Sequence, residues 1–268
     1  MHHLSPDHTV VTLVGPDALA FLQSQLTNDV ATLAPGAWQW QGYCSAKGRL
    51  YATFALVRMA DDAFAAVVHN SVLATLVKRL TMHRLRAKLA IETPTTLSAV
   101  LHLARPDINP STLATLDLGH ERWITIESTE PVAPVSVIAS DAFMQRWNLA
   151  GIAAMQPEIT AATSEMFVPQ MIGWDTIVPG GGVSFSKGCF PGQEVVARAH
   201  YRGAVKRHLE RQILDSGTSL LNGAEATLDD GRVADICNVA QTEQDVPIAL
   251  VVVAPVASAT HETDTTFS

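Results

Sequence analysis

Apolar residues recur along this chain at two spacings, and the alternation between them marks out the elements. Residues 10–14 are short, apolar and largely β-branched, which predicts a buried strand. Gly15-Pro16-Asp17 interrupts the run, and Asp17 is a residue type that caps helices. Ala18, Leu19, Leu22 and Leu26 then recur at helical spacing, predicting a helix over 18–26 that closes at Thr27-Asn28-Asp29. Strands are predicted over 38–43 and 50–58, joined by a turn at 45–48 with Lys47-Gly48 at its tip. A further strand follows at 63–69. Leu73, Leu76, Val77 and Leu80 share one face of an amphipathic helix over 72–85, and 88–92 reads as a strand.

Residues 93–140 alternate short apolar runs with Pro, Asp and Gly and read as strands and loops. A helix is expected over 141–149. Residues 151–182 are rich in Pro and Gly and read as a long connection, a kind of segment that in compact proteins usually carries function. Beyond residue 206 the pattern changes. Residues 208–214, 224–228, 231–239 and 248–253 read as short strands, and Asp229-Asp230-Gly231 is a hairpin signal. Strands this closely spaced predict a β-barrel or β-sandwich of about 50 residues. The chain therefore divides into 1–205, a small barrel over 206–256 and a flexible polar tail over 257–268.

Composition narrows the class. With 47% hydrophobic and 16% charged residues among 268, there is ample material for a core. The formal net charge of −8 argues against direct nucleic-acid binding, which needs clustered cations. Two local basic clusters stand against that total: Lys78, Arg79, Arg84, Arg86 and Lys88, and then Arg198, Arg202, Lys206, Arg207 and Arg211. Cys44, Cys189 and Cys237 are far apart and odd in number, which argues against a disulfide framework and for a reducing compartment. No CxxC pair offers a metal site by spacing. The longest apolar run, 248–257, contains Pro255 and falls short of the roughly 20 residues of a membrane helix. A cytoplasmic protein with no membrane segment is expected.

One stretch stands apart chemically. KGCFPGQEVVAR, residues 187–198, sets a cysteine between two glycines with a carboxylate five residues later. Residues 183–185 look strand-like, 187–192 form a tight turn, and 194–199 suit a helix. Glu194 would sit in the first helical turn, where the dipole favours a carboxylate, and the same field with Lys187 would favour a thiolate at Cys189. The plain reading is an ordinary strand-turn-helix, with Glu194 and Arg198 a surface i, i+4 pair.

The stretch resembles the signature of the YgfZ family, Lys-Gly-Cys-(Tyr or Phe)-x-Gly-Gln-Glu, a family related to the folate-dependent T-protein of the glycine cleavage system. Other parts of the chain resemble the family too: GPDALAFLQSQLTNDV (15–30), CSAKGRL (44–50), KRLTMHRLRAKLAIE (78–92), EMFVPQM (165–171), GGVSFSKG (181–188) and YRGAVKRH (201–208). The likeness covers most of residues 10–210.

The resemblance implies an α+β fold: an aminomethyltransferase-like folate-binding domain around a central channel, followed by a small C-terminal β-barrel. It implies a tetrahydrofolate-binding accessory factor for assembly or repair of iron–sulfur clusters in client enzymes, including tRNA-modifying enzymes. The cofactor would be tetrahydrofolate or a folate derivative, and the partners iron–sulfur client or assembly proteins. Glu194 is the implied pterin contact, with Lys187 and Gln193 beside it. Arg198 and Arg207 are candidates to meet the anionic folate tail. Asn28 and Asp29 either line the channel or simply form a helix-terminal turn. Cys189 is the implied functional thiol: a nucleophile, a transient ligand for iron or persulfide, or a packed turn residue, with Cys44 a possible assistant. Cys237 falls in the barrel and reads as core.

Two departures matter. The T-protein carries a catalytic aspartate shortly after the hairpin glycine, whereas residues 49–53 are Arg-Leu-Tyr-Ala-Thr. That argues against a standard aminomethyltransferase. The alternative, a folate-dependent one-carbon (aminomethyl) transferase or demethylase, would need another acid, with Asp29, Glu165 and Asp175 the candidates. Gly173-Trp174 also departs from the family's Asn-containing pair, leaving Trp174 as a packing anchor or a stacking surface.

Overall fold

Alternation of apolar residues between two cores explains why the first sheet is buried on both faces. The computed structural model describes residues 2–129, 136–203, 205–215 and 221–256. Its chain opens with β1 (His2–Leu4) and β2 (His8–Val14), followed by helix α1 (Ala18–Gln25). Then come β3 (Trp38–Cys44), β4 (Leu50–Ala60), β5 (Ala63–His69), α2 (Asn70–Arg84) and β6 (Ala90–Glu92). Strands β2 to β6 form an antiparallel sheet in the order β3-β4-β5-β2-β6. On one face Val11, Leu13, Phe54, Leu56, Phe64, Ala66 and Val68 pack against α1 and α2. On the other, Val10, Ala55, Val57, Ala65 and Val67 join a second, larger core. The period of two that predicts strands also sorts these residues between the cores.

The larger core is shared. Strands β7 (Leu97–His102), β8 (Thr112–Gly119), β9 (Arg122–Ser128) and β10 (Ser136–Ile138) assemble with β1 in the order β10-β1-β7-β9-β8. Leu101, Leu116, Ile124 and Ile126 enter the core from this sheet, and Met144 and Trp147 from helix α3 (Asp141–Ala153). The short strand β1 was not legible in the sequence: three residues, two of them histidine, carry no periodicity, and β1 pairs only with the distant β7 and β10.

Helix α4 (Gln193–Arg202) precedes the last strands, β11 (His208–Ile213), β12 (Glu225–Thr227), β13 (Val233–Gln241) and β14 (Pro247–Val253). These run in the order β11-β14-β13-β12. The expected barrel is not closed among the described residues. β11 and β12 lie at opposite edges, and β12, three residues long, offers little backbone for a closing ladder. One face of this sheet has its own small core around Ile236, Ala249 and Val251; the other sends Cys237, Leu250 and Val252 into the large core. Cys237 is thus core, as the sequence suggested. The mixed α+β architecture also agrees, while the expected tail over 257–268 lies outside the described residues. No helix among the described residues is long and apolar enough to cross a membrane.

Candidate functional site

The signature loop is clamped from three directions. From within, the Lys187 side chain turns inward, leaving the residue 7% exposed, and its ammonium donates to the carbonyls of Leu26 (2.5 Å) and Asn28 (3.2 Å). Burial pushes this ammonium down to about 8, against the pull of Asp29. From the side, Gly192 caps α4 in the left-handed conformation (φ 80°) and abuts the hairpin tip at Gly48. From beneath, Gln170 Nε2 donates to the Val196 carbonyl (2.9 Å), and Val196 is the buried residue of α4.

The turn that receives Lys187 is itself stitched to the glycine-rich connection. Thr27 Oγ1 donates to the Gly182 carbonyl (2.6 Å) and accepts from the Gly42 N–H (2.7 Å). Asn28 Nδ2 donates to the carbonyls of Trp40 (3.1 Å) and Gly181 (3.0 Å). Asp29 accepts from Ala31 N–H and from Gln23 Nε2. Ser184 N–H donates to the Thr27 carbonyl, so 183–185 is an irregular segment tied to this turn instead of the expected strand. The Asn28 and Asp29 side chains therefore have structural partners of their own.

The clamps leave Gly188, Cys189, Glu194 and Arg198 exposed on one loop and helix start. Gln193 opens α4 half-buried. The structure does not bring Arg207 into this group. Its guanidinium pairs with Asp235 (2.7 Å) and donates to the Val252 carbonyl, both in the C-terminal sheet. All three cysteines are free thiols. Cys44 and Cys237 are buried, and burial pushes both thiols well above their usual range, which removes Cys44 as a ready thiolate.

A different charged group, missed in the sequence, occupies the interior. His8 Nε2 and Glu158 Oε1 are 2.7 Å apart, and His8 Nδ1 meets the Ser5 hydroxyl at 2.7 Å. Burial works against charging His8, but Glu158, and to a lesser degree Asp7, raise it above the usual histidine value. Burial likewise opposes the Glu158 carboxylate, yet His8, with help from His69 and Arg122, brings it down to about 2. Asn238 fixes the Glu158 backbone on both sides, accepting from its N–H (2.9 Å) and donating to its carbonyl (3.0 Å). A bulge in β13 between Ile236 and Asn238 places that side chain.

Arg122 completes the group. Its guanidinium lies 4.2 Å from the Trp147 ring and donates to Gln156 Oε1 (2.7 Å). Burial lowers its value to about 10. Two adjoining cavities, of about 100 and 50 Å³, share His8, Arg122, Trp147, Gln156 and Glu158 on their walls. The second is also walled by Trp40 and Trp174, which meet edge to face at 5.4 Å. Trp174, 1% exposed and packed over Gly182, is a packing anchor that also faces this cavity. Arg122 Nε and the indole N–H groups of Trp40 and Trp174 are buried donors without a hydrogen-bond partner. Glu194 and Cys189 line neither cavity. The signal available in the sequence was Glu158 itself, a carboxylate after Pro157 in the connection whose composition marks it as functional.

The arrangement thus has two parts: a polar cavity lined by the Asp7 and Glu158 carboxylates, Arg122 and indole walls, and an exposed thiol on a clamped surface loop. Among the described residues no group of three or more His, Cys, Asp or Glu is placed to hold a metal ion.

No protein-family model matches the chain. It is 32% identical over 229 residues to the tRNA-modifying protein YgfZ of Serratia proteamaculans, covering 76% of this chain and 68% of that one. It is likewise 32% identical over 228 residues to the protein of the same name from Cronobacter sakazakii, with 76% and 68% covered. Among solved structures, the glycine cleavage system aminomethyltransferase T of Bartonella henselae shares the fold, with a TM-score of 0.67 over 94% of this chain and 78% of that one at 14% identity.

Proposed function

The chain belongs to the YgfZ family of tRNA-modifying proteins, and from that premise we propose a cytoplasmic, tetrahydrofolate-binding accessory factor that assists iron–sulfur clusters in client enzymes. The observation that carries the reading is the central cavity at His8, Glu158 and Arg122. A pterin ring is flat and presents its 2-amino group and ring N3–H to a single acceptor pair, which a carboxylate supplies. Glu158 is such a carboxylate, kept ionised by His8. Trp40, Trp147 and Trp174 supply flat walls beside the carboxylate. A carboxylate between flat aromatic walls fits a folate head group. The reading assigns the pterin contact to Glu158 and leaves Glu194, exposed at the start of α4, to the surface loop of Cys189. When bound, the folate would supply one-carbon chemistry; the residues of this chain bind and orient it. Cys189, exposed on a loop clamped at Lys187 and Gly192, would face the iron–sulfur client or assembly protein.

Calorimetric titration with tetrahydrofolate tests the reading. Binding is expected, with a stabilisation of about 2.7 kcal/mol at a hundredfold excess over Kd. Glu158→Gln, nearly isosteric, should weaken binding at least about tenfold, as loss of a charged hydrogen bond does, while Glu194→Gln should not. The reverse result would return the contact to Glu194. A flat titration with the unaltered chain would sink the folate reading.

A second reading rests on the same cavity. The hairpin over 49–53 has no acid, but Glu158 and His8 place an acid and a base in the interior. That favours testing for one-carbon transfer or demethylation. Sustained formaldehyde or methylene-tetrahydrofolate production from small amines would put this reading first.

A further inference from the structure

Helix α4 gives one buried residue, Val196, to the core, yet its outer side is far from featureless. Phe185 and His200 stack at 3.7 Å between centroids, with 16° between their planes. Tyr201 stands edge-on to both and is 71% exposed. Arg198 and Arg202 are one turn apart and both exposed, and Tyr201 lies one turn from Arg198 on the same side. Neither guanidinium has an ion pair or side-chain hydrogen bond among the described residues. Glu194, one turn before Arg198, is the carboxylate on this side. From there to Glu210 the sequence has no acid but has Arg198, Arg202, Lys206 and Arg207, an inversion of the chain's net charge of −8.

From the exposed Tyr201 and His200 rings, the second backed by the half-buried Phe185, beside unpaired guanidinium groups we infer that α4 binds an unpaired segment of RNA, bases stacking on Tyr201 and His200 and phosphates meeting Arg198 and Arg202. The chemistry separates this from an acidic protein surface. A carboxylate patch would use the arginines and leave an exposed tyrosine beside a stacked ring pair without a role, whereas unpaired bases use both. The inference is independent of the folate reading, since Tyr201 lines neither interior cavity.

Fluorescence anisotropy of the full chain with a short labelled single-stranded RNA, titrated over a range of salt, tests it. Tyr201→Ala should weaken binding at least about fivefold, with an unchanged melting temperature because the side chain is exposed. Arg198→Gln with Arg202→Gln should lower the slope of log K against log salt by about 1.4, two single-strand phosphate contacts. No binding at low salt, full binding by Tyr201→Ala, equal binding of an RNA duplex, or equally effective competition by polyglutamate would each overturn the inference, the last assigning the face to an acidic protein.

Discussion

Gly48 and Gly192 meet backbone to backbone: a methyl group on Gly192 would fall 2.6 Å from the Gly48 Cα and 2.3 Å from the Ser45 carbonyl oxygen. The contact presses the hairpin tip onto the start of α4 and so fixes the Cys189 loop from the side. Gly192 is also left-handed (φ 80°), a conformation that costs a residue with a side chain. Strain and backbone overlap act together, so Gly192→Ala should cost about 2–4 kcal/mol. Melting should fall by roughly 5–10 °C. Gly188→Ala, in open space at an ordinary φ, should stay within about 0.5 kcal/mol and serves as the comparison.

Lys187 yields a prediction with a sign. Burial lowers its value to about 8 from the usual 10.5. Between those values the unfolded chain is protonated at this site and the native one is not. Unfolding therefore takes up a proton, and stability rises with pH across that window. Lys187→Met removes the rise. Below pH 8 it also strips two carbonyls, Leu26 and Asn28, of their donor, at a cost of about 1–3 kcal/mol. Denaturation midpoints from pH 7 to 10.5 for both proteins should diverge with rising pH. Parallel curves would place the titration elsewhere.

Much of this fold was legible locally, and the reason is visible in β5. Phe64, Ala65, Ala66, Val67 and Val68 alternate between two cores, so a strand buried on both faces reads as a continuous apolar run bounded at 63 and 69, where β5 begins and ends. The surface loop was legible for a different reason: its residues are contiguous. The interior site was not, because His8, Arg122 and Glu158 come from three distant segments and no local motif unites them. Barrel closure failed for a related reason. Four strands can be counted in the sequence, but closure depends on an edge ladder between β11 and β12 that no local pattern encodes.

The His8–Glu158 pair makes stability depend on pH in a defined window. His8 is raised above 6.5 in the fold, so its contribution is complete below pH 6.5 and erodes as pH climbs through the raised value. Glu158 is lowered from 4.5 to about 2, so its contribution is complete above pH 4.5 and is lost as pH falls toward 2. The stability difference between the unaltered chain and Glu158→Gln should therefore be greatest between about pH 4.5 and 6.5 and shrink on both sides. A difference that stays constant from pH 4 to 8 would show that the pair does not titrate as described.

Cys189 and Glu158 should fail in different ways, because one is exposed on a clamped loop and the other, half-buried at the cavity wall, is paired with His8. Replacing an exposed thiol by a hydroxyl removes no packing, so Cys189→Ser should leave the melting curve within about 0.5 kcal/mol of the original. It should bind tetrahydrofolate normally and yet lose rescue of iron–sulfur enzyme activity in a deletion strain. Glu158→Gln should lose folate binding and some stability together, since it leaves the buried His8 without its counter-charge, a change that costs about 3–5 kcal/mol when such a pair is fully desolvated. The side chain of Glu158 is 37% exposed, which puts its cost at the lower end. Measuring melting, ligand binding and rescue on the same two variants separates thiol from cavity. Full rescue by Cys189→Ser would remove the thiol from the function and leave the cavity to account for it.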